Sequence, residues 1–224
     1  LDIMVDVLKN PTFPAEEVEK YKQRQISSLN ASQTNPTAIA RRVAKKLRFK
    51  EHPYGEITTV ETIKNITRQK LKDYYSTYYK PNNSYLVIVG DIKPAEAKKT
   101  ARKYFGDWEK GDVPTHKYEF PGRNEASQVS MVNMDDSEQS VISITYPVEL
   151  KTGDEDAIPA RITNSILGGG VFSGYLMQNL REDKGYTYGA RSSLNRDEYV
   201  GYFRAGAEVK SSVTDSAVTQ FLKE

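Results

Sequence analysis

The chain has 224 residues, of which 38% are hydrophobic, enough for one large domain or two ordinary ones with real cores. Its 32 basic and 30 acidic side chains give a formal net charge of +2 and are interspersed, which excludes the clustered basic face of a nucleic-acid-binding protein. No run approaches the roughly 20 apolar residues of a membrane span, and the lack of cysteine excludes disulfides, thiolate zinc sites and a cysteine nucleophile.

Helical patterns dominate the first half of the chain. Ile39, Val43 and Leu47 recur at intervals of four, which predicts an amphipathic helix. Thr67 is a suitable N-cap for a later helix that ends before Pro81. Helices are predicted over residues 1–9, 15–30, 37–49, 59–64, 67–79 and 94–105, and a buried strand over 84–90.

Residues 106–125 lack a sustained period and contain several glycines and prolines, which is typical of an interdomain linker. We therefore predict a first α+β domain over residues 1–106, a linker over 107–125 and a second α+β domain over 126–224. Because both ends of the chain lie inside helical patterns, we also expect a truncated piece of a longer protein. The second half predicts strands over 127–134 and 140–148, helices over 156–167, 172–182 and 213–222, and a hairpin of 186–194 with 200–209 around Asn195–Asp197.

Short motifs of the first half resemble the M16 family of zinc peptidases, which includes insulinase, pitrilysin and mitochondrial processing peptidase. Each motif alone is weak, but their common order makes the resemblance specific. They are Pro11-x-Phe13, Asn35-Pro36-Thr37, His52-Pro53-Tyr54-Gly55, Ile63-x-x-Ile66-Thr67, and Tyr79-x-Pro81-x-Asn83 leading into Leu86-Val87-Ile88-Val89-Gly90-Asp91.

The strongest part of the resemblance lies downstream. It consists of Leu167-Gly168-Gly169-Gly170-Val171-Phe172-Ser173, then Leu180-Arg181-Glu182, then Gly185-Tyr186-x-Tyr188. In M16 enzymes a similar arginine and tyrosine, seven positions apart, reach from one half into the active site of the facing half. The resemblance therefore implies M16 peptidase-like α+β domains within a two-half clamshell that encloses a peptide, with Arg181 and Tyr188 as catalytic residues.

Arg181 and Tyr188 also have an ordinary structural interpretation. An arginine at a helix end interacts favourably with the helix dipole, and a tyrosine in a strand is commonly part of a core. If both are functional, they are two donors aimed at the oxygen on which negative charge develops in the transition state.

The glycines Gly168, Gly169 and Gly170 do not fit a phosphate loop, which follows a strand and ends in Lys and Ser or Thr. They fit either a helix C-cap with a tight turn or a flexible segment that contacts bound peptide. The second interpretation rests on the resemblance, since the non-catalytic subunit of mitochondrial processing peptidase has a glycine-rich loop.

The resemblance implies a zinc site made of His-x-x-Glu-His and a later glutamate, but this chain contains only His52 and His116. Where the later glutamate is expected the chain has Ser28, and Tyr21 stands seven residues earlier. Neither replaces a zinc carboxylate, so we predict that this half binds no metal and that zinc lies in the facing half.

Three hypotheses remain open. In the first, the chain is an accessory half that supplies Arg181 and Tyr188 to a zinc-bearing M16 half or subunit, which acts on a peptide substrate. In the second, it is a non-enzymatic scaffold similar to the core subunits of the respiratory bc1 complex. In the third, His-x-x-Glu-His precedes residue 1 and a shifted alignment makes Glu17 or Glu19 the ligand. The resemblance and the lack of cysteine favour a bacterial periplasmic or envelope location, with the cytoplasm as the alternative.

Overall fold

The computed structural model describes residues 1–123, 126–135, 137–170 and 172–224. Asn124 and Glu125 of the predicted linker and Val171 of the glycine-rich motif lie outside the described residues. The helices are α1 (Asp2–Lys9), α2 (Ala15–Ala31), α3 (Pro36–Phe49), α4 (Val60–Lys64), α5 (Arg68–Tyr78), α6 (Pro94–Phe105), α7 (Ala157–Asn164), α8 (Tyr175–Met177) and α9 (Thr214–Lys223), with π-helical turns over Ser165–Gly169 and Gln178–Asp183; the strands are β1 (Gln139–Val148), β2 (Thr187–Asn195) and β3 (Gly201–Lys210).

Side-chain caps explain why several helices begin where the sequence predicts. The Asn35 side chain accepts a hydrogen bond from the Ala38 N–H at 2.9 Å and starts α3. The Thr67 hydroxyl accepts from the Lys70 N–H at 3.2 Å and starts α5. Each cap satisfies an N–H that has no partner within its own helix.

Two predicted strands are wrong. Residues 84–90 are not a buried strand, because they belong to no sheet and Tyr85, Val87 and Val89 are 99%, 77% and 91% exposed. Residues 127–134 likewise pair with no strand in the described part of the chain, and Val129 and Met131 are 88% and 89% exposed. An apolar run predicts a strand only if neighbouring strands supply its hydrogen-bond partners, and the described residues supply none.

The chain forms two compact units, of which the first contains Leu1–Leu29 and Thr58–Lys117 and the second Asn30–Ile57 and Tyr118–Glu224. Residues 30–57, placed in the first domain by the sequence analysis, thus group with the second unit. The predicted boundaries 1–106, 107–125 and 126–224 remain a prediction about domains.

The first unit consists of helices α1, α4, α5 and α6 and most of α2. Its N-terminal residues are held on α5, where the Tyr75 hydroxyl donates to the Leu8 carbonyl at 2.7 Å and Arg68 Nε donates to the Phe13 carbonyl at 2.6 Å. Ile63, 5% exposed, is the only residue of this unit that is buried in the structure, all of the unit being described. The described contacts of this unit thus include hydrogen bonds between its N-terminal residues and α5 and little fully buried apolar surface.

The second unit has an antiparallel sheet in the order β1-β3-β2. Side chains alternate between its two faces, so β3 directs Ala205, Ala207 and Val209 into a core that includes Leu176 and Leu180 and is covered by α8, α9 and the turn after α8. Helix α3 contacts β1 and lies on the opposite face, where the Thr37 hydroxyl donates to Glu208 of β3. Helices on both faces of an antiparallel sheet give the predicted α+β class.

No helix in the described residues is long and apolar enough to cross a membrane.

Candidate functional site

The candidate site begins at the end of the π-helical turn Gln178–Asp183, whose last turn carries Arg181. The chain reverses at Gly185, which has a φ of +63° that favours glycine. The Gly185 N–H donates to the Arg181 carbonyl at 3.0 Å, and the Tyr186 N–H donates to the Leu180 carbonyl at 2.9 Å. These bonds fix the connection from Arg181 to β2.

The side chain of Arg181 is 37% exposed and makes only loose contacts. Its Nε lies 3.4 Å from Oε1 of the adjacent Glu182, and its guanidinium lies 5.7 Å from the centre of the Phe172 ring. Phe172 belongs to the glycine-rich motif, two residues after Gly170, so the structure brings Arg181 to that segment. An exposed ion pair of this kind stabilises a fold by about 0–1 kcal/mol, which leaves the guanidinium available for another partner.

Tyr188 is 92% exposed, so the alternative interpretation of it as part of a core does not apply. It lies in β2 where the pairing with β3 shifts between Thr187 and Ala190. Such an irregularity interrupts the regular alternation of side chains between the two faces of a sheet, so a side chain at this point can lie away from the core. In the described part of the chain no hydrogen bond or ring contact joins Tyr188 to Arg181.

The glycine-rich segment is not a left-handed helix cap, because none of its three glycines has a positive φ. Gly168 and Gly169 complete the π-helical turn Ser165–Gly169, and Gly168 is buried. A Cβ on Gly168 would lie 2.8 Å from the Ser192 backbone nitrogen and 2.8 Å from Leu176 Cδ1. Gly168 therefore allows close packing on β2, and Gly169, which is exposed, is the most accessible of the three.

An open cavity of about 440 Å³ lies beside Tyr188 on the α3 side of the sheet, wholly within the second unit. Arg191, Arg204, Gly206 and Glu208 are among the residues that line it. The sequence analysis missed these residues, because only the strand register brings them together.

The donors of this chain do not fit a zinc ion. The described residues contain no group of three or more His, Cys, Asp or Glu side chains that could hold a metal. Ser28 and Tyr21 are exposed on α2, and the alternative carboxylates Glu17 and Glu19 form ion pairs with lysines on that helix, at 3.0 and 2.9 Å. We derive no step through a metal held by these residues.

The fold and the Arg181–Tyr188 segment are those of an M16 peptidase-like protein. Residues 65–224 match the family model of the Peptidase M16 inactive domain, and the chain belongs to that family. The match covers the glycine-rich motif and the whole of the sheet.

Two curated relatives are similar over most of the chain. The uncharacterized zinc protease YmxG of Bacillus subtilis is 26% identical over 196 residues, which are 86% of this chain and 46% of that protein. The non-peptidase homolog YmxG of Helicobacter pylori is 24% identical over 205 residues, which are 90% of this chain and 46% of that protein. The chain thus spans about half the length of these relatives.

Solved structures confirm the fold. A peptidase M16 inactive domain from Pseudomonas fluorescens superposes with a TM-score of 0.88 at 24% identity, covering 98% of this chain and 53% of that one. The periplasmic protease PqqL from Escherichia coli superposes with a TM-score of 0.70 at 14% identity, covering 96% of this chain and 24% of that one. The predicted M16 peptidase-like α+β fold is therefore confirmed.

Proposed function

We propose that this chain acts as the half without a zinc site in a two-half M16 peptidase. In this proposal it supplies Arg181 and Tyr188 to a facing, zinc-bearing half that hydrolyses peptide bonds. The observation that carries the proposal is the exposure of the Tyr188 phenol, 92%, on a strand whose neighbouring Ala190 is buried. A large aromatic side chain held in solvent contributes little to folding, and its hydroxyl is accessible to a ligand or a facing half.

Both side chains suit the stabilisation of an oxyanion. The Arg181 guanidinium carries a permanent charge and several N–H donors, and the Tyr188 hydroxyl is a neutral donor. Each group is accessible, and the connection through Gly185 is fixed by backbone hydrogen bonds. Donors held in place before the reaction stabilise developing charge without a cost of reorganisation at that moment.

The zinc-bearing partner, the peptide substrate and the location belong to this proposal. The Bacillus subtilis relative is named a zinc protease and is about twice as long as this chain, which supports a second half that holds zinc. We propose that the exposed Gly169 and the partly exposed Gly170 contact the bound peptide, beside Phe172 and Arg181. A periplasmic or envelope location is supported by the likeness to the periplasmic PqqL.

The test is steady-state kinetics of the complete peptidase with Arg181→Ala or Tyr188→Phe in this half. Loss of one donor to a developing oxyanion should lower kcat by about 10²–10³, or roughly 2.7–4 kcal/mol. The zinc content and melting temperature should not change.

Matched controls are Tyr74→Phe, which alters a tyrosine that is 59% exposed on α5, and Arg161→Ala, which alters an exposed arginine on α7. Both should keep normal kcat. Near-normal kcat in the Arg181 and Tyr188 variants would refute the catalytic role, and a parallel loss of activity and thermal stability would indicate a structural role instead.

A non-enzymatic scaffold is the second candidate. It is favoured by the name of the Helicobacter pylori relative, a non-peptidase homolog. A complete protein in which the Arg181 and Tyr188 variants still assemble normally, and which cleaves no peptide in any form, would support this candidate.

A further inference from the structure

The cavity beside Tyr188 has two arginines on one sheet face. Arg191 of β2 pairs with Gly206 of β3, and Arg204 lies two residues from Gly206 on the same face. Diagonal neighbours of this kind in an antiparallel pair are about 7–8 Å apart, within joint reach of two long side chains. Both arginines line the cavity.

Gly206 leaves the space between these arginines open. A Cβ at this position would lie 2.4 Å from the Ile142 carbonyl oxygen, so the close approach of β1 and β3 requires glycine here. The sheet backbone therefore forms the floor of the cavity at the point where the two arginine side chains rise from it.

The described residues that line the cavity include two arginines and one carboxylate, that of Glu208, so positive charge is in excess there. In the described part of the chain, neither Arg191 nor Arg204 forms a salt bridge or a hydrogen bond through its guanidinium. The Glu208 carboxylate accepts a hydrogen bond from the Thr37 hydroxyl at 2.6 Å, in the first turn of α3, where the helix dipole favours the negative charge that Glu208 keeps. Glu208 is thus held at the α3 side of the cavity.

Arg48 adds to the excess of positive charge on this face. Its guanidinium lies 3.7 Å from the centre of the Tyr202 ring and donates to the Thr145 hydroxyl at 2.7 Å. Burial lowers the pKa of Arg48 to about 10, and the positive charge of Arg204 acts in the same direction. The described lining of the cavity thus has one carboxylate, that of Glu208, near the three guanidinium groups of Arg48, Arg191 and Arg204.

We propose that Arg191 and Arg204 bind a carboxylate of an extended peptide in this cavity. Two guanidinium groups over an open backbone floor match the planar, doubly accepting geometry of a carboxylate. Because Tyr188 lines the same cavity, the bound peptide lies against that residue. The inference rests on the proposed function only where it identifies this ligand as the peptidase substrate, which then carries a side-chain or C-terminal carboxylate.

The test is a titration of labelled peptides with the full 224-residue chain. Binding is measured by the fluorescence anisotropy of an uncharged fluorophore on each peptide. The first probe is an acetylated and amidated octapeptide of alanine and serine with one central glutamate, and the second has glutamine there. A third has the glutamine and a free C-terminus, which separates a side-chain carboxylate from a terminal one. We expect a carboxylate-bearing probe to bind on the order of tenfold more tightly than the amidated glutamine probe, and less so at high salt.

Arg191→Gln and Arg204→Gln should each abolish that preference, whereas Arg161→Gln, on α7, should keep it. Circular dichroism checks the folding of each variant, and Arg191→Gln, on an exposed strand position, decides the question if Arg204→Gln fails to fold. Equal binding of all three probes, or a preference that survives in a folded Arg191→Gln variant, would overturn the proposal. Because no cleavage is measured, this result is independent of the kinetic test of Arg181 and Tyr188.

Discussion

Gly168 shows how a residue noted for flexibility can serve packing instead. Its missing side chain allows the π-helical turn to approach β2, where a Cβ would lie 2.8 Å from the Ser192 backbone nitrogen. Backbone atoms cannot move aside as a flexible side chain can. We therefore predict that Gly168→Ala lowers the free energy of unfolding by about 1–3 kcal/mol in urea titrations.

Gly170→Ala is the matched control for this prediction. Gly170 has a φ of −77° and a ψ of 167°, which alanine adopts readily, and the nearest atom to an added Cβ is the Ser165 carbonyl oxygen at 3.2 Å. The change in stability should stay below about 1 kcal/mol. Equal destabilisation by both substitutions would show that the segment needs glycine for another reason than packing on β2.

His52 is a buried residue that packs among aromatic side chains of the second unit. Its ring lies 4.8 Å from Tyr54 and 5.4 Å from Tyr118 between centroids, and its Nδ1 accepts from the Tyr54 N–H at 3.1 Å. Its Nε2 is buried without a partner among the described residues. Burial lowers the pKa of His52 below its ordinary value, because the charged imidazolium is poorly solvated there.

This lowered pKa predicts a dependence of stability on pH. Below the ordinary histidine pKa of about 6.5, His52 binds a proton in the unfolded chain but not yet in the folded chain. The contribution of His52 to the free energy of unfolding is therefore complete above that pH and is lost as the pH falls through the pKa of the folded state. Urea titrations at pH 7, 6 and 5 should show a smaller loss of stability in His52→Asn, whose side chain does not titrate. If the free energy of unfolding changes equally with pH in the unmodified chain and in His52→Asn, this pH dependence does not come from His52.

Elements defined by local patterns could be predicted, and elements that need distant partners could not. The caps at Asn35 and Thr67 and the helices they start depend on a few neighbouring residues. The hairpin of β2 and β3 combines alternation with a short connection, and the structure confirms it. Residues 84–90 have a strand composition, but their hydrogen-bond partners would have to come from elsewhere.

The exposed backbone of residues 85–89 gives a direct prediction for hydrogen exchange. These amides belong to no sheet, whereas the amides of β3 lie between two strands. In the isolated chain we expect residues 85–89 to exchange as fast as residues 106–117, and β3 to exchange far more slowly. Slow exchange at residues 85–89 in the monomeric chain would contradict the structure. If slow exchange is seen only at high protein concentration and disappears on dilution, copies of the chain pair through this segment.

At the scale of the whole molecule, some residues of the candidate site could be predicted from the sequence and others could not. Arg181 and Tyr188 came from a resemblance that depends on their spacing, and their exposure could not be predicted because it depends on an irregular strand pairing. Arg191 and Arg204 stand 13 positions apart and become neighbours only through the register.

The central claim is that this M16 half supplies side-chain donors and no metal site. Its donor set argues for this, since Ser28 occupies the expected ligand position and the described residues offer no cluster of metal ligands. The most direct test is elemental analysis of the 224-residue chain after equilibrium dialysis against micromolar zinc. We predict zinc far below stoichiometric, and close to one tightly held zinc per chain would contradict the account.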